Sequence, residues 1–389
     1  MALDFETLVN WNNTDKKYYA YESNDSDLTA FQVKYDESLN RYVCENNIST
    51  PAGSLAGDNR KSNCLWYDHL ADYEARGYFL LINPLFHKFD ANGNHVLSAM
   101  KGTAARQIVS DSNYIYGATT GFNVDKIGVV LCNSDGDFMK FIDNETTYCG
   151  GVAVDSNGNI YQSGYHCVKK YDSDGNILWS YDTGVISNKI DCDDSNVYVS
   201  GQDGYIRKIN SSGVQQWAYD VGVYTYNVKV DAAGNVYGTS QRTTNGDGTG
   251  TVWKLNSAGA FQWVYDTGTG APALNYAFGL HVDDSGNVYT TTYRSINADI
   301  TPNYALLWKI DSAGNYVNHY DNAIAWYVGV EVELDSMGNI YFIGFRSVND
   351  DNLCKLNSSF VKQWGFCLGR SACAGGLHVR NDTEIYTGV

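Results

Sequence analysis

Along residues 105–389 apolar and polar positions alternate in short runs, and turn-forming residues break the runs at close intervals. Alternation with a period of two predicts antiparallel strands, one face buried and one exposed. One phrase recurs within it, Val-Asp-x-x-Gly-Asn-(Val/Ile)-Tyr, at 154–161, 230–237 and 282–289, and with Leu first at 334–341. Degenerate copies end at Tyr116, Tyr198 and Tyr386, so the seven closing tyrosines stand 45, 37, 39, 52, 52 and 45 residues apart. A second phrase follows each copy but the last. It reads Lys-apolar-(Asp/Asn)-Ser-x-Gly, then Trp, then Tyr-Asp-x-Gly, at 170–184, 208–222 and 254–268. Weaker forms lie at 309–321, 355–364 and 133–141, and one at 88–97 precedes the first tyrosine phrase.

Each phrase reads as a β-hairpin. Asp bonds the turn backbone and Gly supplies the positive φ that branched residues avoid. Two hairpins make a four-stranded sheet, and a unit of this length is one blade of a β-propeller. Helical periodicity is absent from this region, so the fold class is all-β. A first hairpin at 377–389 lacks a second, and a second hairpin at 85–99 lacks a first. Pairing the two in one composite blade closes the ring without free edges and predicts seven blades. The alternative is eight, with 31–45 resembling a further second hairpin and 72–78 carrying the Asp-to-Tyr spacing of a further first hairpin. Against it, 62–77 reads as a helix, capped by Ser62 or Asn63, with Leu65, Trp66, His69, Leu70 and Tyr73 on one face and Gly77 at its end. The expected division is therefore a mixed N-terminal attachment or capping segment at 1–77 and a propeller at 78–389. Two insertions, 240–250 and 293–303, fall between the hairpins of their blades and hence on one rim, where repeat folds often make contacts.

The second phrase, as in Asp172-Ser-Asp-Gly-Asn-Ile-Leu-Trp179 and Asn256-Ser-Ala-Gly-Ala-Phe-Gln-Trp263, resembles the tryptophan-docking repeat of quinoprotein-like β-propellers. The first phrase is similar to the Asp-x-x-Gly-Asn-x-Tyr hairpin of bacterial seven-bladed repeat families. The resemblance covers about residues 85–389 and implies fold more than function, because such propellers serve as enzymes, scaffolds and receptors. Trp holds four of the docking positions (179, 217, 263 and 364), whereas Leu97, Lys140 and Asn318 hold the others. The adjacent Cys-Cys pair common in quinone enzymes is missing.

Composition narrows the classes. The 27 basic residues against 44 acidic ones leave a net charge of −17, which argues against nucleic acid as a partner. No apolar stretch approaches the length of a membrane-spanning helix. The start of the chain lacks the basic-then-apolar pattern of a secretory signal, so folding in a cytoplasm is expected. The nine cysteines are irregularly spaced, with no Cys-x-x-Cys pair, and are expected to be buried thiols. An acidic, Tyr-, Asn- and Gly-rich chain with 4 prolines and an irregular N-terminal segment resembles phage virion proteins.

Candidate chemistry is sparse. Asp90-Ala-Asn92-Gly93-Asn94, Asp155-Ser-Asn157-Gly158-Asn159 and Asp172-Ser-Asp174-Gly175-Asn176 have a calcium-loop flavour but lack the closing bidentate Glu, so turn chemistry is expected and no metal. No hydrolase motif occurs, and no cofactor is implied. His281 and His378 sit at equivalent strand positions, Gly-Leu-His-Val in each case, and could both face a central channel. Tyr224, Tyr226, Trp326 and Tyr327 are candidate binding aromatics for a sugar or a protein surface. Tyr18, Tyr19, Tyr21, Trp66 and Tyr67 are candidate attachment residues. The expected function is a non-enzymatic interaction protein, concretely a bacteriophage virion or tail component. Its partners would be subunits of a larger assembly and a host surface glycan or protein. The alternative is a quinoprotein-like enzyme or carbohydrate-binding propeller with its site at the central channel, and the alternative location is the cytoplasm.

Overall fold

The computed structural model describes residues 9–12, 17–24, 27–36, 41–44, 84–101, 105–122, 126–134, 138–143, 148–241, 251–267, 275–294, 304–321, 327–346, 353–366 and 375–388. Among these there is no helix. Seven four-stranded antiparallel sheets form a propeller: blades 1 to 6 span 105–143, 149–182, 187–220, 225–265, 275–321 and 327–366. Blade 7 joins the C-terminal strands Leu377–Arg380 and Glu384–Thr387 to Pro84–Asp90 and His95–Lys101. The closing register places Tyr386 opposite Lys88 and Thr387 opposite His87. The innermost strand of blade 7 lies beside those of blades 6 and 1, which completes the ring.

An eighth sheet exists, but it is not a blade. Strands Val9–Asn12, Lys17–Asn24, Asp27–Asp36 and Arg41–Cys44 form a separate antiparallel meander ahead of the ring. The hairpin at 31–45 is real, with Asp36 opposite Arg41, yet it pairs within this meander. The eight-blade count is thereby corrected: blade 7 already meets blades 6 and 1, and the ring has no gap for another blade. The helix expected at 62–77, the hairpin at 72–78, and Trp66 and Tyr67 lie outside the described residues. Tyr18, Tyr19 and Tyr21 lie on the second strand of the meander, opposite Val33, Gln32 and Ala30.

One transverse row explains the recurring phrases. In blade 3 Tyr198 pairs with Lys208, and Lys208 pairs with Trp217. The same row reads Tyr161, Lys170, Trp179 in blade 2, Tyr237, Lys254, Trp263 in blade 4 and Tyr341, Lys355, Trp364 in blade 6. Directly opposed residues share a face, so the ammonium stands over the tyrosine ring, 5.3 Å from its centroid for Lys208 and Tyr198. The tyrosine hydroxyl donates inward to the turn carboxylate, as from Tyr198 to Asp193 at 2.7 Å and from Tyr161 to Asp155 at 3.0 Å.

The tryptophan then reaches the next blade. Trp179, Trp217, Trp263 and Trp364 donate their indole N–H to the carbonyls of Ser211, Ser257, Ser312 and Ala91, at 2.9, 3.3, 3.1 and 3.1 Å. Each acceptor belongs to the outer turn of the following blade, and the row lysine of the same blade donates to the same carbonyl. The turn needs glycine for two reasons at Gly259. Its φ is +82°, and a Cβ there would lie 2.8 Å from the Trp217 ring. Burial of these rings between sheets, with every polar atom bonded, is what ties neighbouring blades together.

Candidate functional site

The innermost strands bring the seven first phrases to the axis. The residue opposite each closing tyrosine is Val109, Ala153, Asp191, Lys229, His281, Glu333 or His378, one per blade. Five of these seven can carry charge, and all five are half-buried. They interact between blades. Glu333 pairs with His281 Nδ1 at 3.0 Å and with Lys229 Nζ at 3.7 Å. His378 Nε2 meets Ser110 Oγ at 2.8 Å, and Asp191 accepts the backbone N–H of Val230 at 2.9 Å.

The electrostatics follow from this crowding. Burial acts to raise the Glu333 carboxyl, but Lys229 and His281 outweigh it and hold the group at about 2. Burial acts to lower the Lys229 ammonium, and Glu333 and Asp191 outweigh it and push it up. Burial dominates at His378, lowering it to about 4, and at Asp191, whose carboxyl it raises. The pair His281 and Glu333 thus has the form of an imidazole oriented by an ionised carboxylate.

A second layer lies deeper along the same strands. Lys189 Nζ pairs with Glu331 at 2.9 Å and also donates to the carbonyl of Arg106. Glu331 additionally accepts Asn227 Nδ2 at 3.3 Å and the Leu280 N–H at 3.4 Å. Gln107 donates to the Ile190 carbonyl at 2.8 Å, while its Oε1 has no hydrogen-bond partner. These contacts link blade 1 to blade 3, and blade 6 to blades 3 and 4, so the channel is bridged by its own side chains. Gly151 of blade 2 makes the bridging possible, because a Cβ there would collide with Gln107 Oε1.

At this depth the innermost strands carry β-bulges, at Arg106 in blade 1, Gly150 in blade 2, Tyr226 in blade 4 and Val330 in blade 6. A bulge adds one residue and re-aims its neighbours. It delivers Tyr226 to the mouth of the channel on the face opposite the Asp-x-x-Gly-Asn turns. There Tyr226 meets Tyr224 and Phe278, each at 4.7 Å between ring centroids, and Tyr276 at 6.0 Å. Arg106 lies 4.9 Å from the Tyr148 ring centroid and donates to its hydroxyl at 3.2 Å.

Of the expected site residues, the structure gathers His281 and His378 in one channel layer and Tyr224 with Tyr226 at one mouth. Trp326 and the loops 242–250 and 295–303 lie outside the described residues, and Tyr327 is placed only as a strand residue opposite Arg346. Glu333, Lys229, Asp191, Arg106 and Phe278 escaped the reading of motifs. The first three share the repeat column of His281, so aligning all seven copies on their tyrosines exposes them. Among the described residues no group of three or more His, Cys, Asp or Glu is arranged to hold a metal ion. In the Asp155 turn the carboxylate already accepts the N–H groups of Asn157 and Asn159, the Asn159 amide and the Tyr161 hydroxyl. Cys149 and Cys167 are buried free thiols, Cys192 is a half-buried one, and Cys132 and Cys354 are buried.

No family model matches the chain, and no curated protein matches it. Solved structures do. The WD40 β-propeller domain of Doa1 is similar with a TM-score of 0.53 and 12% identity, covering 74% of this chain and 93% of that one. The structure of U3-55K is similar with a TM-score of 0.56 and 8% identity, covering 74% of this chain and 96% of that one. At such identity the likeness concerns the fold: the chain folds as a seven-bladed β-propeller of four-stranded antiparallel blades.

Proposed function

We propose that this chain is a non-enzymatic interaction propeller, and specifically a virion or tail component of a bacteriophage. The observation that carries the reading is the state of the channel. Its charged groups are spent on one another, between neighbouring blades and across non-adjacent ones, so the disc faces and the circumference are what remain for contact. The propeller neighbours accord with use as an interaction scaffold, because large flat faces built from repeats suit protein contacts. The acidic composition and the separate N-terminal meander support the particle assignment, with residues 1–77 docking the ring onto neighbouring subunits. Assembly would take place in a host cytoplasm. The test is sedimentation. Particles induced from cells carrying the gene are banded by density and probed with an antibody to the chain. Recovery of the chain with intact particles supports the assignment, and its recovery only in the unassembled fraction overturns it.

A further inference from the structure

The mouth with Tyr226 differs in character from the rest of the channel. Tyr224, Tyr226, Tyr276 and Phe278, contributed by blades 4 and 5, form a continuous set of half-buried rings. Across from them Arg106 lies against Tyr148 on blades 1 and 2, and the field of Arg106 reaches both Tyr148 and Tyr224. In a chain of net charge −17 this guanidinium has no carboxylate within ion-pairing distance among the described residues. Beside it, on the next residue, Gln107 is 6% exposed and its Oε1 lacks a donor.

We propose that this mouth is a saccharide site for glycans that end in an acidic sugar, a uronic or sialic acid. Tyrosine and phenylalanine rings offer apolar faces to the C–H surface of a pyranose, and tyrosine hydroxyls at the edges bond its hydroxyls. Aromatic side chains with a few placed polar groups are the usual lining of a small-ligand site. The planar fork of Arg106 matches a carboxylate, which selects the acidic sugar over a neutral one. The Gln107 amide lies deeper, against Gly151 and the Ile190 carbonyl, and braces the strand that carries Arg106. The inference goes beyond the particle assignment and holds for the propeller wherever it resides.

The full chain is applied to an array of uronic- and sialic-acid-terminated glycans with matched neutral controls. Free glucuronic acid and N-acetylneuraminic acid are then titrated against glucose and N-acetylglucosamine, read by tyrosine fluorescence. Saturable binding of the acidic probes in preference to the neutral ones is the expected result. Arg106→Gln weakens acidic binding about tenfold or more, the loss of one charge-assisted contact, and Arg106→Lys loses less. Tyr226→Leu weakens every bound sugar, and Tyr224→Leu replaces it if its melting temperature falls. Tyr316→Ala, on the outer strand of blade 5, leaves binding intact. No sugar binding, equal binding of neutral and acidic probes, or affinity untouched by Arg106→Gln overturns the proposal. The sedimentation result is read separately, so either idea can fail alone.

Discussion

Asn318 stands in blade 5 where four other blades carry tryptophan, opposite Lys309 of the row that begins with Tyr289. The space that tryptophan would fill is taken from the other side. In the outer turn of blade 6, Phe360 occupies the glycine position, with φ of +65° and 8% exposure, and stacks on Tyr289 at 6.4 Å. Two departures from the repeat therefore compensate each other. Phe360→Gly removes strain of about 1 kcal/mol but opens a cavity costing about 3–5 kcal/mol, so a net loss of stability is expected on chemical denaturation. Adding Asn318→Trp should recover part of it, and a double mutant no more stable than Phe360→Gly alone would refute the compensation. His378 carries a pH prediction. Its folded pKa of about 4 lies below the ordinary 6.5, with Glu333, Lys229, Arg380 and His281 as the charged or titratable groups around it. Above 6.5 both states are neutral, and between 6.5 and 4 the unfolded chain binds a proton that the folded one refuses. The stability it contributes is thus complete above pH 6.5 and is lost as pH falls toward 4, by up to about 3 kcal/mol. His378→Asn should flatten that part of the curve. Glu333 acts lower, through the window from 4.5 down to about 2.

The composite blade is where single elements decide the ring. Its two halves meet through the register Ile385 to Phe89 and Tyr386 to Lys88, and Lys88 pairs with Glu384 at 2.6 Å. Phe89, Ile385 and Leu377 share one buried cluster with Tyr341, Ile343 and Leu353 of blade 6. Deleting 377–389 removes the innermost strand and leaves two edges open, so aggregation or a large fall in melting temperature is expected. A truncated chain that stays monomeric with an unchanged melt would contradict closure. The lysine of blade 1 shows a smaller adjustment. Lys140 replaces tryptophan and still reaches the next blade, donating to the Asp174 carbonyl at 2.6 Å.

At the scale of the molecule, the meander and the ring are separate sheets, and the ring closes without the first 77 residues. Residues 78–389 expressed alone should therefore fold, and if the N-terminal segment attaches the protein, this fragment should no longer join its assembly. Loss of folding in the fragment would assign 1–77 a structural part in the ring. Millimolar calcium should leave the melting temperature unchanged, because the turn carboxylates such as Asp231 and Asp283 are already saturated by their own turns. A rise of several degrees, reversed by chelator, would show a bound cation.

The repeat phrases alone determined the strands, their pairing, the blade and the half-repeats that close the ring. This is because turn chemistry and alternation act over a few residues, and each copy repeats the same local solution. The tyrosine and tryptophan positions were legible for the same reason. The channel was not. His281 was visible as a motif, but Glu333, 52 positions later, became its partner only when blades 5 and 6 were placed side by side. Arg106, Tyr148 and Tyr226 likewise belong to different blades, and bulges at the strand starts direct them to one mouth. Contacts across the axis link residues far apart in the chain, so no local pattern encodes them. The curvature of the closed ring brings them together.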